Sequence, residues 1–174
     1  MSRAGGALHD AYDIQPLSRG HERASFDCGN AQLNRYVARQ AMQDSDRHVA
    51  TVFAAVSRSS ATLHGFYSLS MAGVAVDLLP EAIRRKMPRY PSVPAVRLGR
   101  LAIHVDARGR GLGTHLLMDA MARSLESEIA WSAFLVDAKD DQARRFYSRF
   151  GFQSFQDDRD SLFLMRKTLE PLFV

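Results

Sequence analysis

A chain of 174 residues that is 46% hydrophobic and 24% charged can bury a real core, which excludes a disordered tail. At this length folding hides roughly 70% of the surface the unfolded chain exposes, so neither a disulfide nor a metal is needed to hold it together. The single cysteine, Cys28, excludes a disulfide framework and points to the cytosol, and the net charge of +4 rests almost wholly on arginine, with Lys86, Lys139 and Lys167 the only lysines. Arginine forks suit phosphate and RNA, and a GC-rich coding sequence produces the same bias without a binding role.

The elements alternate in chain order. No apolar run approaches the roughly 18 residues of a membrane span, and Met1–Asp10 lacks the apolar stretch of a signal peptide. Tyr12–Leu17 reads as a first strand. Asn30–Arg47 reads as one helix, because Leu33, Tyr36, Val37, Gln40 and Ala41 recur at helical spacing. Thr51–Ser57 and Thr62–Met71 are β-rich runs joined by a short connection, Arg58–Ala61. Leu78–Lys86 suggests a short helix, and the stretch punctuated by Pro88, Pro91 and Pro94 is expected to be an ordered loop or lid that no regular element contains. Then follow a strand over Val96–Val105, a helix over Gly111–Ser127, a strand over Ala133–Asp137, a helix over Asp140–Phe150, and closing strands over Phe152–Phe155 and Ser161–Met165. With no repeat and no hinge rich in Gly, Pro and Ser, the pattern predicts one α/β or α+β domain with a mixed sheet over residues 1–174.

The most informative stretch is a strand feeding Arg108-Gly109-Arg110-Gly111-Leu112-Gly113 at the opening of an amphipathic helix. Glycines let a backbone turn tightly and approach a ligand. The free N–H groups and positive dipole end of the helix favour an anion, here a phosphate or pyrophosphate, and Arg108 and Arg110 add charge. The G-x-G-x-x-G dinucleotide pattern is absent, and no lysine follows Gly113 as a Walker loop requires.

In these residues the chain resembles the GNAT superfamily of N-acetyltransferases, whose pyrophosphate loop [R/Q]-x-x-G-x-[G/A] matches Arg108, Gly111 and Gly113. A second GNAT element, D/N-x-x-A-x-x-F-Y-x-x-x-G-F, matches Asp140, Ala143, Phe146, Tyr147, Gly151 and Phe152, with Asp140 where the family more often has Asn. The resemblance implies a mixed, twisted, V-split sheet of about six to seven strands flanked by about four helices. It implies acetyl-CoA as donor and no metal, with Arg108, Gly109, Arg110, Gly111, Leu112, Gly113, Thr114 and Asp140 at the cofactor. The backbone of Leu101, Ala102 and Ile103 would pair with the pantetheine arm like an extra strand.

The likeness narrows over Phe26–Leu164. Phe26-Asp27-Cys28-Gly29-Asn30, Pro88-Arg89-Tyr90-Pro91, Leu98-Gly99-Arg100-Leu101-Ala102 and Val136-Asp137-Ala138-Lys139-Asp140 are similar to the acetyltransferase toxins of bacterial toxin-antitoxin pairs, the TacT and AtaT kind. That kind acetylates the free α-amino group of aminoacyl-tRNA and so blocks translation. The resemblance further implies a cytoplasmic homodimer, a ribbon-helix-helix antitoxin as partner, and no membrane association.

The chemistry agrees with the residues. A phenol titrating near pH 10 stays protonated and can donate to a departing thiolate, the role implied for Tyr147; by packing alone Tyr147 would read as a core aromatic beside Phe146 and Phe150. The strand Val96–Val105 holds no acid. A lysine acceptor, with a pKa near 10.4, calls for a strong base, whereas an α-amine near 7.7–8.0 is partly neutral already. His104 on that strand reads as structural first and as a base through water second. Candidate tRNA contacts are Arg84, Arg85, Lys86, Arg89, Arg97, Arg100, Arg144, Arg145 and Arg149. Two rival readings remain: acetylation of a small amine or protein amino group, and a non-catalytic module that binds CoA or RNA.

Overall fold

The computed structural model describes residues 11–174, so the reading of Met1–Asp10 as leaderless lies outside the described residues. Among the described residues seven strands form one sheet in the order β1-β2-β3-β4-β5-β7-β6. They are β1 (Tyr12–Pro16), β2 (Thr51–Ser57), β3 (Leu63–Ala75), β4 (Ser92–Ile103), β5 (Ala133–Asp137), β6 (Gln153–Ser154) and β7 (Ser161–Met165). β1 with β2, β2 with β3, β5 with β7 and β6 with β7 are antiparallel, while β4 and β5 run parallel over Ala95↔Ala133 to Leu98↔Val136. A parallel pair needs a crossover, which the segment carrying the long helix α4 (Leu112–Leu125) supplies. The sheet is mixed, as the sequence pattern predicts.

The chain divides into two compact units. One holds the described residues up to Ser70 together with Arg100–Ala120; the other holds Met71–Gly99 with Met121–Val174.

In the first unit the expected helix over Asn30–Arg47 is broken into α1 (Ala31–Arg35), a π turn (Tyr36–Gln40) and α2 (Ala41–Asp46). Asn30 caps α1, its side-chain oxygen accepting from the N–H groups of Gln32 and Leu33 at 3.0 and 3.1 Å. The bond from Ala41 N–H to the Tyr36 carbonyl closes the wider turn. Tyr36 and Val37 are buried there against Phe26, Val52, Leu63 and Phe66 in the unit's core. Gly65 permits a close approach: a Cβ there would lie 2.9 Å from Leu116 Cδ1 and 3.1 Å from the Ala102 carbonyl.

In the second unit, two expectations are corrected. The helix expected over Leu78–Lys86 is instead a 3₁₀ turn, Val76–Leu78, and a single α turn, α3 (Glu81–Arg84), separated by Pro80. The proline-rich loop ends sooner than expected, because Pro94 lies inside β4. A proline is compatible with the opening of a strand, where its fixed φ is extended enough and its carbonyl still accepts; here that carbonyl takes the Ser132 N–H at 2.8 Å. Ala133–Val136 of β5 is buried throughout, as an inner strand covered on both faces must be. Helix α5 (Asp141–Ser148) follows β5, and the chain closes with α6 (Arg166–Leu169), which the sequence pattern did not single out.

Candidate active site

In the first unit β4 ends at Ile103 and the chain turns through His104 into a short 3₁₀ turn, Val105–Ala107. The His104 ring accepts the Asp106 N–H at 3.1 Å, so this histidine serves the turn. Arg108 is extended, and Gly109 and Gly111 follow at φ +76° and +83°, in the left-handed region where a side chain is strained. Nothing lies within 4 Å of where a Gly109 Cβ would sit, so backbone conformation is what calls for glycine at that position. The turn delivers Leu112, Gly113 and Thr114 as the first residues of α4, whose opening N–H groups have no carbonyl one turn back to bond. These amides, with the helix dipole behind them, fit a pyrophosphate.

The two arginines of the loop do different jobs. Arg110 is exposed and makes no ion pair among the described residues, so its charge faces outward. The Arg108 guanidinium turns back and donates from Nη2 to the Cys28 carbonyl. It also lies 3.1 Å from where a Gly29 Cβ would sit, and Gly29 itself is left-handed at φ +77°. The segment it reaches is held by Asp27, whose Oδ1 accepts from Gly29 N–H at 2.8 Å and Asn34 Nδ2 at 3.0 Å. Those bonds hold the Asp27 carboxyl below its ordinary range, with smaller help from the His104 and Arg108 charges. Arg108 is thus the strut between the loop and the Phe26–Asn30 segment, a role sequence reasoning did not assign. The signal was an aspartate two positions before a glycine, the mark of an Asx turn. Pairing of β4 with β5 stops at Leu98, which leaves the Leu101–Ile103 backbone without a β5 partner, as a strand-like pantetheine arm requires.

In the second unit Asp140 opens α5, its carboxylate accepting the Ala143 N–H at 2.7 Å. Asp140, expected at the cofactor, thus also serves as the helix cap. Tyr147 sits in the last turn of α5, only 6% exposed, its ring packed edge-on against Phe146 at 5.2 Å and Phe152 at 5.7 Å. Burial, with the Asp137 carboxylate adding to it, pushes the phenol well above its usual pKa near 10. The hydroxyl makes no hydrogen bond among the described residues, although no fully buried side-chain nitrogen or oxygen there goes unpaired. Asp137 itself receives Arg97 Nη1 at 2.8 Å and Ser161 Oγ at 2.9 Å.

The cationic candidates separate cleanly. Arg144 is held between Asp141 and Asp160, with its side chain 17% exposed, and Arg85 and Arg97 pair with Glu81 and Asp137. Arg144, expected as a phosphate contact, thus has its charge shared by two carboxylates. The Arg100 guanidinium lies over Tyr36, Cζ 3.6 Å from the ring centroid. Arg84, Lys86, Arg89, Arg145 and Arg149 remain exposed and form no ion pair among the described residues, with Arg149 leaning on the Phe146 ring. Among the described residues no cluster of His, Cys, Asp or Glu could hold a metal ion, and no helix is long and apolar enough to cross a membrane.

An acetyltransferase (GNAT) domain model matches residues 70–154. The chain is 34% identical to the tRNA-acetylating toxin of Mycobacterium tuberculosis (strain ATCC 25618 / H37Rv) over 158 residues, 90% of this chain and 93% of that one. Its fold is similar to that of AtaT complexed with acetyl-methionyl-tRNAfMet, with a TM-score of 0.86, 25% identity, and coverage of 94% of this chain and 99% of the other. It is similar also to AtaTR bound with AcCoA, with a TM-score of 0.82, 26% identity and coverage of 95% and 99%. The chain belongs to the GNAT family of acetyltransferases, enzymes that transfer an acetyl group from acetyl-CoA to an amine.

Proposed function

We propose that this protein is a toxin that acetylates the free α-amino group of aminoacyl-tRNA, and that Tyr147 is its acid. The observation that carries the reading is the Tyr147 phenol: kept protonated by burial, anchored by two aromatic contacts, and with a hydroxyl that makes no hydrogen bond among the described residues. In the reaction the neutral amine nitrogen attacks the thioester carbonyl carbon. The C–N bond forms, the C–S bond breaks, the thiolate takes the Tyr147 proton, and the proton lost from the amine passes to solvent, from which the phenolate is reprotonated. The pyrophosphate would rest on the Gly109–Thr114 amides and Arg110, with the pantetheine arm along Leu101–Ile103.

The acceptor follows from what β4 lacks. Ser92–Ile103 carries no carboxylate, so the strand offers no strong base for a lysine, while an α-amine near 7.7–8.0 needs little help. The exposed cations Arg84, Lys86, Arg89, Arg145 and Arg149 supply the charge a polyanion requires. The relatives named for tRNA acetylation and bound to acetyl-methionyl-tRNAfMet support the same acceptor. As parts of this reading, residues 1–174 act as one catalytic domain, the protein works in the cytoplasm as a homodimer, and a ribbon-helix-helix antitoxin restrains it.

The test is transfer from labelled acetyl-CoA to a total aminoacyl-tRNA pool, wild type beside Tyr147→Phe. Label on the aminoacyl group that disappears in the variant is expected. An unlabelled pool with acetyl-CoA still bound would replace tRNA by a small amine or protein acceptor.

A further inference from the structure

The segment between α3 and β4 carries an exposed aromatic that packing does not explain. Tyr90 is 66% exposed, though the backbone around it is tied down. Lys86 N–H bonds Ile83 O at 3.0 Å, Met87 N–H bonds Arg84 O at 3.1 Å, Tyr90 N–H bonds Pro88 O at 2.8 Å, and Val76 N–H bonds Pro91 O at 3.0 Å. Ile83 and Met87 pack against the second unit's core, and prolines on both sides fix φ at Pro88 and Pro91. The segment is anchored at both ends and presents the Tyr90 ring outward, so binding through that ring costs little ordering. The cations beside it are unbalanced. Arg85 is taken by Glu81, while Arg84, Lys86 and Arg89 are exposed and unpaired among the described residues.

An exposed ring on an anchored backbone, beside cations that make no ion pair among the described residues, is the chemistry that holds unpaired nucleotides: phosphates meet the charges and a base face meets the ring. A protein surface would need carboxylates to answer three cations, and a double-stranded stem offers phosphates but no free base face. The acceptor proposed above ends in an unpaired 3′ strand that carries the aminoacyl ester. Resting on that reading, we propose that Tyr90 is a stacking platform for an unpaired base of this 3′ strand, with Arg84, Lys86 and Arg89 on its phosphates.

The test uses deacylated tRNA, on which no acetyl transfer can occur, either intact or trimmed of its unpaired 3′ nucleotides, with wild type, Tyr90→Ala and Tyr90→Phe. Because the side chain is exposed, all three should melt at the same temperature. Tyr90→Ala should weaken binding of intact tRNA by about tenfold or more and leave the trimmed RNA unaffected; Tyr90→Phe should bind as wild type. In steady state the KM for aminoacyl-tRNA should rise with the KM for acetyl-CoA unchanged. Equal weakening on both RNAs, a Tyr90→Phe defect as large as the alanine one, or a defect confined to antitoxin binding would each overturn the proposal. Wild-type protein that binds neither RNA while acetylating another amine would instead overturn the functional reading on which it rests.

Discussion

Replacing Tyr147 by phenylalanine removes one oxygen and, if that oxygen is the acid, should separate activity from stability. The ring contacts at 5.2 Å with Phe146 and 5.7 Å with Phe152 survive in the variant, and no protein hydrogen bond is lost because the hydroxyl makes none among the described residues. The stability change should stay within about 0.5 kcal/mol, as for substitutions that disturb no packing or buried bond. Loss of a positioned acid costs about 10²- to 10⁴-fold, or roughly 3–5 kcal/mol of barrier at 1.36 kcal/mol per decade. Single-turnover acetyl transfer, with both substrates saturating, isolates this step, and acetyl-CoA affinity should not change. Tyr147→Ala would blur the result, because a cavity at a site 6% exposed costs about 3–5 kcal/mol of stability by itself. A rate loss under tenfold in Tyr147→Phe, or a melting temperature several degrees lower, would show that the residue is a core aromatic and refute the acid role.

Other outcomes follow from the same geometry. The pH profile of kcat/KM should rise through the acceptor amine near pH 7.7–8.0 and stay level to pH 10, since burial and Asp137 both disfavour the Tyr147 phenolate and so move its ionisation upward; a fall before pH 10 would contradict this. Arg108→Ala should lower stability by about 1–2 kcal/mol, through the lost bond to the Cys28 carbonyl. Arg110→Ala should leave the melting temperature unchanged and raise the KM for acetyl-CoA several-fold at low salt; equal melting shifts would erase the distinction between the two arginines. Asp140→Ala should cost about 1 kcal/mol while Asp140→Asn costs little, because both Asp and Asn cap a helix well; chemical denaturation measures the difference. Gly65→Ala should cost about 1–3 kcal/mol, because its Cβ meets Leu116 at 2.9 Å and the Ala102 carbonyl at 3.1 Å; an unchanged denaturation midpoint would show that β3 has room to yield.

What the sequence made legible is what local conformation decides. Gly109 and Gly111 announce left-handed turns, and the helix after them announces free amides. Side-chain partners resist this treatment because they depend on how distant segments meet. Arg108 finds Cys28 from 80 positions away, Arg97 finds Asp137 from 40, and Arg144 finds Asp160 from 16. In the linear text each of these looks like Arg84 and Arg110, which make no ion pair among the described residues. The π turn at Tyr36–Gln40 and the place of Pro94 in β4 were hidden for a related reason. Helical periodicity tolerates one extra residue in a turn, and a proline excludes itself from a strand only where its missing N–H was needed. Net charge is therefore a poor guide to which cations a polyanion could meet. The guide is which cations remain after carboxylates and backbone carbonyls have taken their share, and the segment around Tyr90 keeps three of them beside an exposed ring.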